Sequence, residues 1–108
     1  MLSLRELLRE LEVTVVAGER GLDRAVRWVH ISELIDPTPW LSGGELLLTT
    51  GLALGDGAQQ REYVARLAEH GLTGLGFGVG LSHPRVPDAL REAAAEREFP
   101  VLEVPYEL

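Results

Sequence analysis

Leu4, Leu7, Leu8 and Leu11 recur at helical spacing behind Ser3, and Glu6 stands three residues after that serine. This capping-box pattern predicts a short amphipathic helix running to about Leu11. The β-branched run Val13–Ala17, bounded by Gly18, reads as a strand. Gly21-Leu22-Asp23-Arg24 supplies a turn into a second strand around Val26–Ile31, and so short a connection predicts that the two strands are neighbours. Pro37 and Pro39 forbid regular strand, while Pro39 suits the start of a helical turn carrying Trp40 and Leu41. Gly43-Gly44 then turns the chain into the strand Leu46–Thr50, whose two apolar faces call for cover on both sides.

The second half alternates strand and helix. Tyr63, Val64, Leu67 and Ala68 form one stripe of a helix over Gln59–His70, and Gly71 sits where helices end in the left-handed conformation. A strand Leu72–Val79 follows, then a loop with Pro84 and Pro87, a helix from about Pro87 to Glu98, and a strand Val101–Val104 beyond Pro100. This order is the signature of parallel βαβ units. The expected fold is therefore α/β: a small, mainly parallel or mixed sheet with helices on its faces. With no internal repeat or linker in view, residues 1–108 are expected to form a single domain.

Composition narrows the function. A net charge of −7, with ten basic residues that are all arginine and scattered, argues against this segment gripping a phosphate backbone. The absence of cysteine removes disulfides, thiolate nucleophiles and cysteine-ligated metals. The start of the chain lacks a secretion signal, and no apolar run approaches the roughly 18 residues of a membrane span, so a cytoplasmic chain with no membrane partner is expected.

Ser32, Glu33, Asp36, Thr49, Thr50 and Gly51 are more polar than a core requires. In a parallel sheet the carboxyl ends of the strands line one edge, where ligands generally bind, and Thr49-Thr50-Gly51 falls at such an end. These six residues are the candidate effector site. The plain alternative is that both threonines finish a strand and start a turn. His30 could join Glu33 or Asp36 as an acid–base pair, but without an evident orienting partner it reads as structural. No metal site and no cofactor are expected. Gly74, Gly76, Gly78 and Gly80 strip one face of their strand of side chains, which predicts a helix packed closely there. A phosphate cradle is disfavoured, because the dinucleotide and P-loop fingerprints are both missing and the chain has no lysine. Trp28 and Trp40 are expected in the core by default, with an interface as the alternative.

Several stretches carry a family resemblance: Val15-Val16-Ala17-Gly18 with Gly21-Leu22-Asp23-Arg24, Val29-His30-Ile31-Ser32-Glu33-Leu34, Pro39-Trp40-Leu41, and Gly44-Glu45-Leu46-Leu47-Leu48-Thr49-Thr50-Gly51. Gly74-Leu75-Gly76-Phe77-Gly78 and Phe99 to Pro105 extend it over nearly the whole chain. The chain resembles the N-terminal sensory domain of the PucR family of bacterial transcriptional regulators. Its opening is also similar to the amino-terminal domain of HPr kinase, which shares a fold with the N-terminal domain of MurF ligases. That likeness suggests architecture and implies no kinase chemistry.

The PucR resemblance implies a regulatory, non-enzymatic domain that binds a small-molecule metabolite effector or self-associates, in a protein governing catabolism of purines or related nitrogen compounds. DNA would be bound only through a C-terminal helix-turn-helix region absent from this chain. A purely structural homodimerisation module without ligand is the alternative, with Trp28, Trp40 or the glycine face at its interface. An enzyme using His30 has little support.

Overall fold

The computed structural model describes residues 1–105. Its elements are α1 (Leu4–Leu8), β1 (Thr14–Ala17), β2 (Trp28–Ile31), β3 (Glu45–Thr49), α2 (Gly57–Glu69), β4 (Gly74–Gly78), α3 (Asp88–Glu96) and β5 (Val101–Val104). Short 3-10 turns cover Glu19–Gly21 and Thr38–Trp40. Ser3 and Glu6 close a capping box on α1, as their spacing requires, and Asp56 with Gln59 closes a second one on α2. Helix α2 ends at Gly71, whose φ of +81° is the left-handed stop that glycine takes at least cost.

The five strands lie in the order β1-β5-β4-β3-β2. Strands β2 through β5 are mutually parallel, and β1 pairs antiparallel with β5. The sheet is thus mixed with a parallel majority, as the strand–helix alternation predicted. The expectation that β1 and β2 are neighbours is overturned, since they form opposite edges. Residues 18–27 are not a hairpin turn but a strap laid across one face of the sheet. Leu4 and Arg5 donate their N–H groups to Arg24 and Leu22, and Val26 donates to Leu2. Leu22 is thereby buried against Leu4, Leu46 and Leu102. Tying down the strap leaves β1 free to pair with the last strand.

The two faces are covered unequally. On one, α2 and α3 bury Leu47, Tyr63, Leu67, Leu75, Phe77, Leu90, Phe99 and Val101. The other carries the smaller cluster around Leu4, and its cover is α1, a helix of five residues, with the strap. Strand β3 is therefore apolar on both faces but sheltered fully on only one, and Leu48 stays partly exposed. The glycine face of β4 looks toward this thinner side. At Gly74 the side chain of Leu4 comes close, so the predicted helix contact holds there. At Gly76 the neighbour is Leu48 of the adjacent strand, and at Gly78 it is Thr50. Among the described residues no helix packs along the strip, because α1 is too short to reach past Gly74, and the glycine face opens into a groove. The core placement of the tryptophans is also overturned, Trp28 being 58% and Trp40 69% exposed. Strand β2 is an edge strand, and Trp40 ends a surface turn.

Candidate functional site: a carboxylate cradle at the strand ends

The parallel strands β2 to β5 all point their carboxyl ends at one edge, and a crevice of about 220 Å³ lies there. Ile31, Glu33, Leu48, Thr49, Thr50, Gly76, Gly78 and Val104 line it. Three of the six candidate residues, Glu33, Thr49 and Thr50, meet in its wall. Instead of waiting for a ligand, they bind each other. The Thr49 hydroxyl donates to Glu33 Oε1 at 2.9 Å, and the Thr50 hydroxyl and N–H donate to Oε2 at 2.9 and 2.8 Å. The Leu52 N–H adds a longer bond of 3.3 Å to Oε1.

Four donors thus converge on one carboxylate. Burial by itself would raise the Glu33 carboxyl, yet the hydrogen bonds from the Thr50 N–H, both hydroxyls and the Leu52 N–H together hold it below the usual glutamate range. The cradle holds a negative charge at neutral pH. Thr49 also accepts from the Gly51 N–H at 3.2 Å, which shapes the turn leaving β3. Gly51 adopts φ +74° with the Phe77 ring against it, and its carbonyl meets His83 Nε2 at 3.0 Å. Gly51 therefore shapes the rim without lining the crevice.

Ser32 and Asp36 do other work. The Ser32 hydroxyl accepts from the Leu34 N–H in a local turn. Asp36 accepts from the N–H and hydroxyl of Thr38, at 3.1 and 2.6 Å, and lies 3.6 Å from the Arg66 guanidinium on α2. These bonds explain why the Asp36 carboxyl lies below its ordinary range, with the Thr38 hydroxyl the largest cause. Arg66 also donates to the Ile35 carbonyl, so the far end of segment 32–36 is pinned to α2. His30 is partly buried in β2, level with Leu47. Among the described residues, no group of three or more His, Asp or Glu could hold a metal ion. No described helix is long and apolar enough to cross a membrane.

Two polar residues of consequence escaped the sequence. Glu45 is 1% exposed, and its carboxylate accepts from the Ser42 and Gly43 N–H groups at 2.7 and 2.8 Å. Its position opening an apolar strand suggested nothing beyond a strand start, although a glutamate two residues after Gly43 is the signal of a side chain that closes the turn before it. Tyr63 is 1% exposed and was legible only as part of a helix stripe. Its hydroxyl stands beside Thr49 without a hydrogen bond of proper geometry, and burial pushes the phenol above its usual range.

Comparison with known proteins gives this arrangement its context. The chain is 42% identical over 105 residues to the transcriptional activator PmfR of Paenarthrobacter nicotinovorans, covering 94% of this chain and 22% of that protein. It is 32% identical over 92 residues to the purine catabolism regulatory protein of Bacillus subtilis, covering 84% of this chain and 17% of that protein. The chain thus spans about a fifth of the length of these relatives. Its fold is similar to the CBS and DRTGG domains of the regulatory region of a Clostridium perfringens pyrophosphatase, solved in complex with the activator diadenosine tetraphosphate. There the TM-score is 0.62 at 19% identity, covering 96% of this chain and 41% of that one. The model of the purine catabolism regulatory protein-like family, PucR, matches residues 1–108 without remainder, and the chain belongs to that family.

Proposed function

We propose that this chain is the regulatory domain of a transcriptional regulator and that it senses a small polar effector at the strand-end crevice, with DNA contacted by another part of the protein. The observation that carries the reading is the crevice itself: an apolar floor at the carboxyl ends of four parallel strands, with Glu33, Thr49 and Thr50 in its wall. The net charge of −7 and the scattered arginines fit a domain that does not grip nucleic acid. Control of purine or related nitrogen catabolism is part of this proposal, supported by the names of the relatives. Signalling requires that the effector bind one conformation or assembly better than another, because equal affinity shifts no population.

A thermal-shift titration with purines, ureido acids and amino acids tests the reading. At least one compound is expected to raise the melting temperature of the parent chain, and Thr50→Val is expected to weaken its binding at least tenfold. Equal binding by the variant would put the site elsewhere, and no binder at all would sink the sensing reading.

Self-association is a second reading, favoured by the exposed apolar residues of edge strand β2. Trp28, Val29 and Ile31 are 58%, 49% and 73% exposed. Such a strand is a ready template for pairing unless something covers it. Sedimentation of the parent is expected to show a homodimer that Ile31→Glu weakens at least tenfold, and a parent that stays monomeric at high concentration would remove this reading.

A further inference from the structure

Among the described residues, every group that points at the Glu33 carboxylate is a donor: two backbone N–H groups and two hydroxyls. Such a set suits an anion with two oxygens and gives a cation nothing to bind, since both carboxylate oxygens already accept two bonds each. The crevice beside it is apolar, with Ile31, Leu48 and Val104 around the bare backbone of Gly76 and Gly78. Its volume of about 220 Å³ is below the roughly 300–1,000 Å³ of drug-sized pockets, so its occupant is small.

Building on the sensing reading, we propose that the effector is a small carboxylic acid with a short apolar body, and that the Glu33 side chain is its internal stand-in. The incoming carboxylate takes the four donors from Glu33, and its apolar body lies along Ile31, Leu48 and Val104. Exchange frees the chain just beyond Ser32, whose own N–H stays bonded to the Leu48 carbonyl, because Glu33 ties that segment to the loop after β3. The far end stays pinned by Arg66 at Ile35 and Asp36. Ligand binding is thereby converted into movement of residues 33–34, and the bound and free states differ in the contacts that segment makes.

The test uses the 108-residue chain with sodium acetate and sodium butanoate as probes, and butanamide and butylammonium chloride as controls at matched ionic strength. Glu33→Ala empties the cradle. Acetate at ten times its dissociation constant is expected to raise the melting temperature of that variant by about 5–10 °C, and the amide and ammonium are expected to do nothing. Adding Thr50→Val should weaken acetate at least tenfold. Glu33→Gln keeps the volume and removes the charge, so it provides a second test should the alanine variant fail to fold. It is expected to bind butanoate at least fivefold more tightly than the parent does, with amide resonances of Thr50, Leu52 and Leu34 moving together. Acetate acting no better than chloride on Glu33→Ala, or butanamide matching butanoate on Glu33→Gln, would overturn the carboxylate assignment. The sensing reading would survive that result if a metabolite still raised the parent's melting temperature in a manner dependent on Thr50, and would fall with it otherwise.

Discussion

Gly18→Ala is expected to cost more than about 3 kcal/mol, a large fraction of the roughly 5–15 kcal/mol that keeps a domain folded. Gly18 sits at φ +72°, a conformation that costs an alanine roughly 1–2 kcal/mol. Space is the larger difficulty. A Cβ there would overlap the carbonyl group of Phe99 and the backbone nitrogen of Pro100, which cannot rotate out of the way as a side chain can. This residue turns the chain out of β1 and into the strap, beside the start of the strand with which β1 pairs. Relief therefore means separating β1 from β5 or lifting Phe99, which is fully buried. Denaturant unfolding measures the loss. A change below about 1 kcal/mol with an unaltered amide spectrum would show that Gly18 does not lie against Phe99.

Glu45→Ala is expected to destabilise the protein by roughly 2–3 kcal/mol, because the Ser42 and Gly43 N–H groups of a part-buried turn lose the charged acceptor they share. The turn that Glu45 closes is docked on the end of α2, with the Gly44 N–H donating to the Gly71 carbonyl at 2.8 Å and His70 Nε2 2.7 Å from the Leu41 carbonyl. The pH dependence follows from the direction of the shift. Burial would raise the Glu45 carboxyl, but bonds from Ser42, from its own backbone and from Gly43, with the Trp28 indole, hold it below the ordinary value of 4.5. A carboxyl with a depressed folded value contributes its full stability above its unfolded value and loses it as the pH falls through the folded one. The gap between parent and Glu45→Ala should be widest at neutral pH and should narrow as the pH drops below 4.5. A gap that stays constant from pH 7 to about 3 would mean that the charge contributes nothing and that the loss comes from packing alone.

Much of the architecture was legible because local rules and tertiary demands agree. The helices announced themselves through Ser3 with Glu6, the Tyr63–Leu67 stripe, Gly71 and Pro87, and the order β3-α2-β4-α3-β5 required parallel pairing. The Asp56-x-x-Gln59 pattern carried the same kind of information at the start of α2. The candidate site was half legible. Glu33, Thr49 and Thr50 stood out as polar residues beyond what a core needs, and they meet. Their bonding to one another was not legible, since two segments sixteen residues apart touch only because β2 and β3 lie parallel in register. Asp36 looked equivalent to Glu33 in sequence, but Pro37 and Thr38 turn it toward Arg66 on α2.

Local chemistry thus determined what each segment is: the helices, the strands, the turns, and an acidic composition without thiols. The tertiary structure decided what each segment faces. It sent β1 and β2 to opposite edges, exposed Trp28, left the glycine strip of β4 as a groove, and filled the threonine cradle with the carboxylate of Glu33. The division has a physical cause. Propensity, capping and backbone restriction act over a few neighbouring residues, whereas strand order and the pairing of a donor with its acceptor depend on which distant surfaces are buried together.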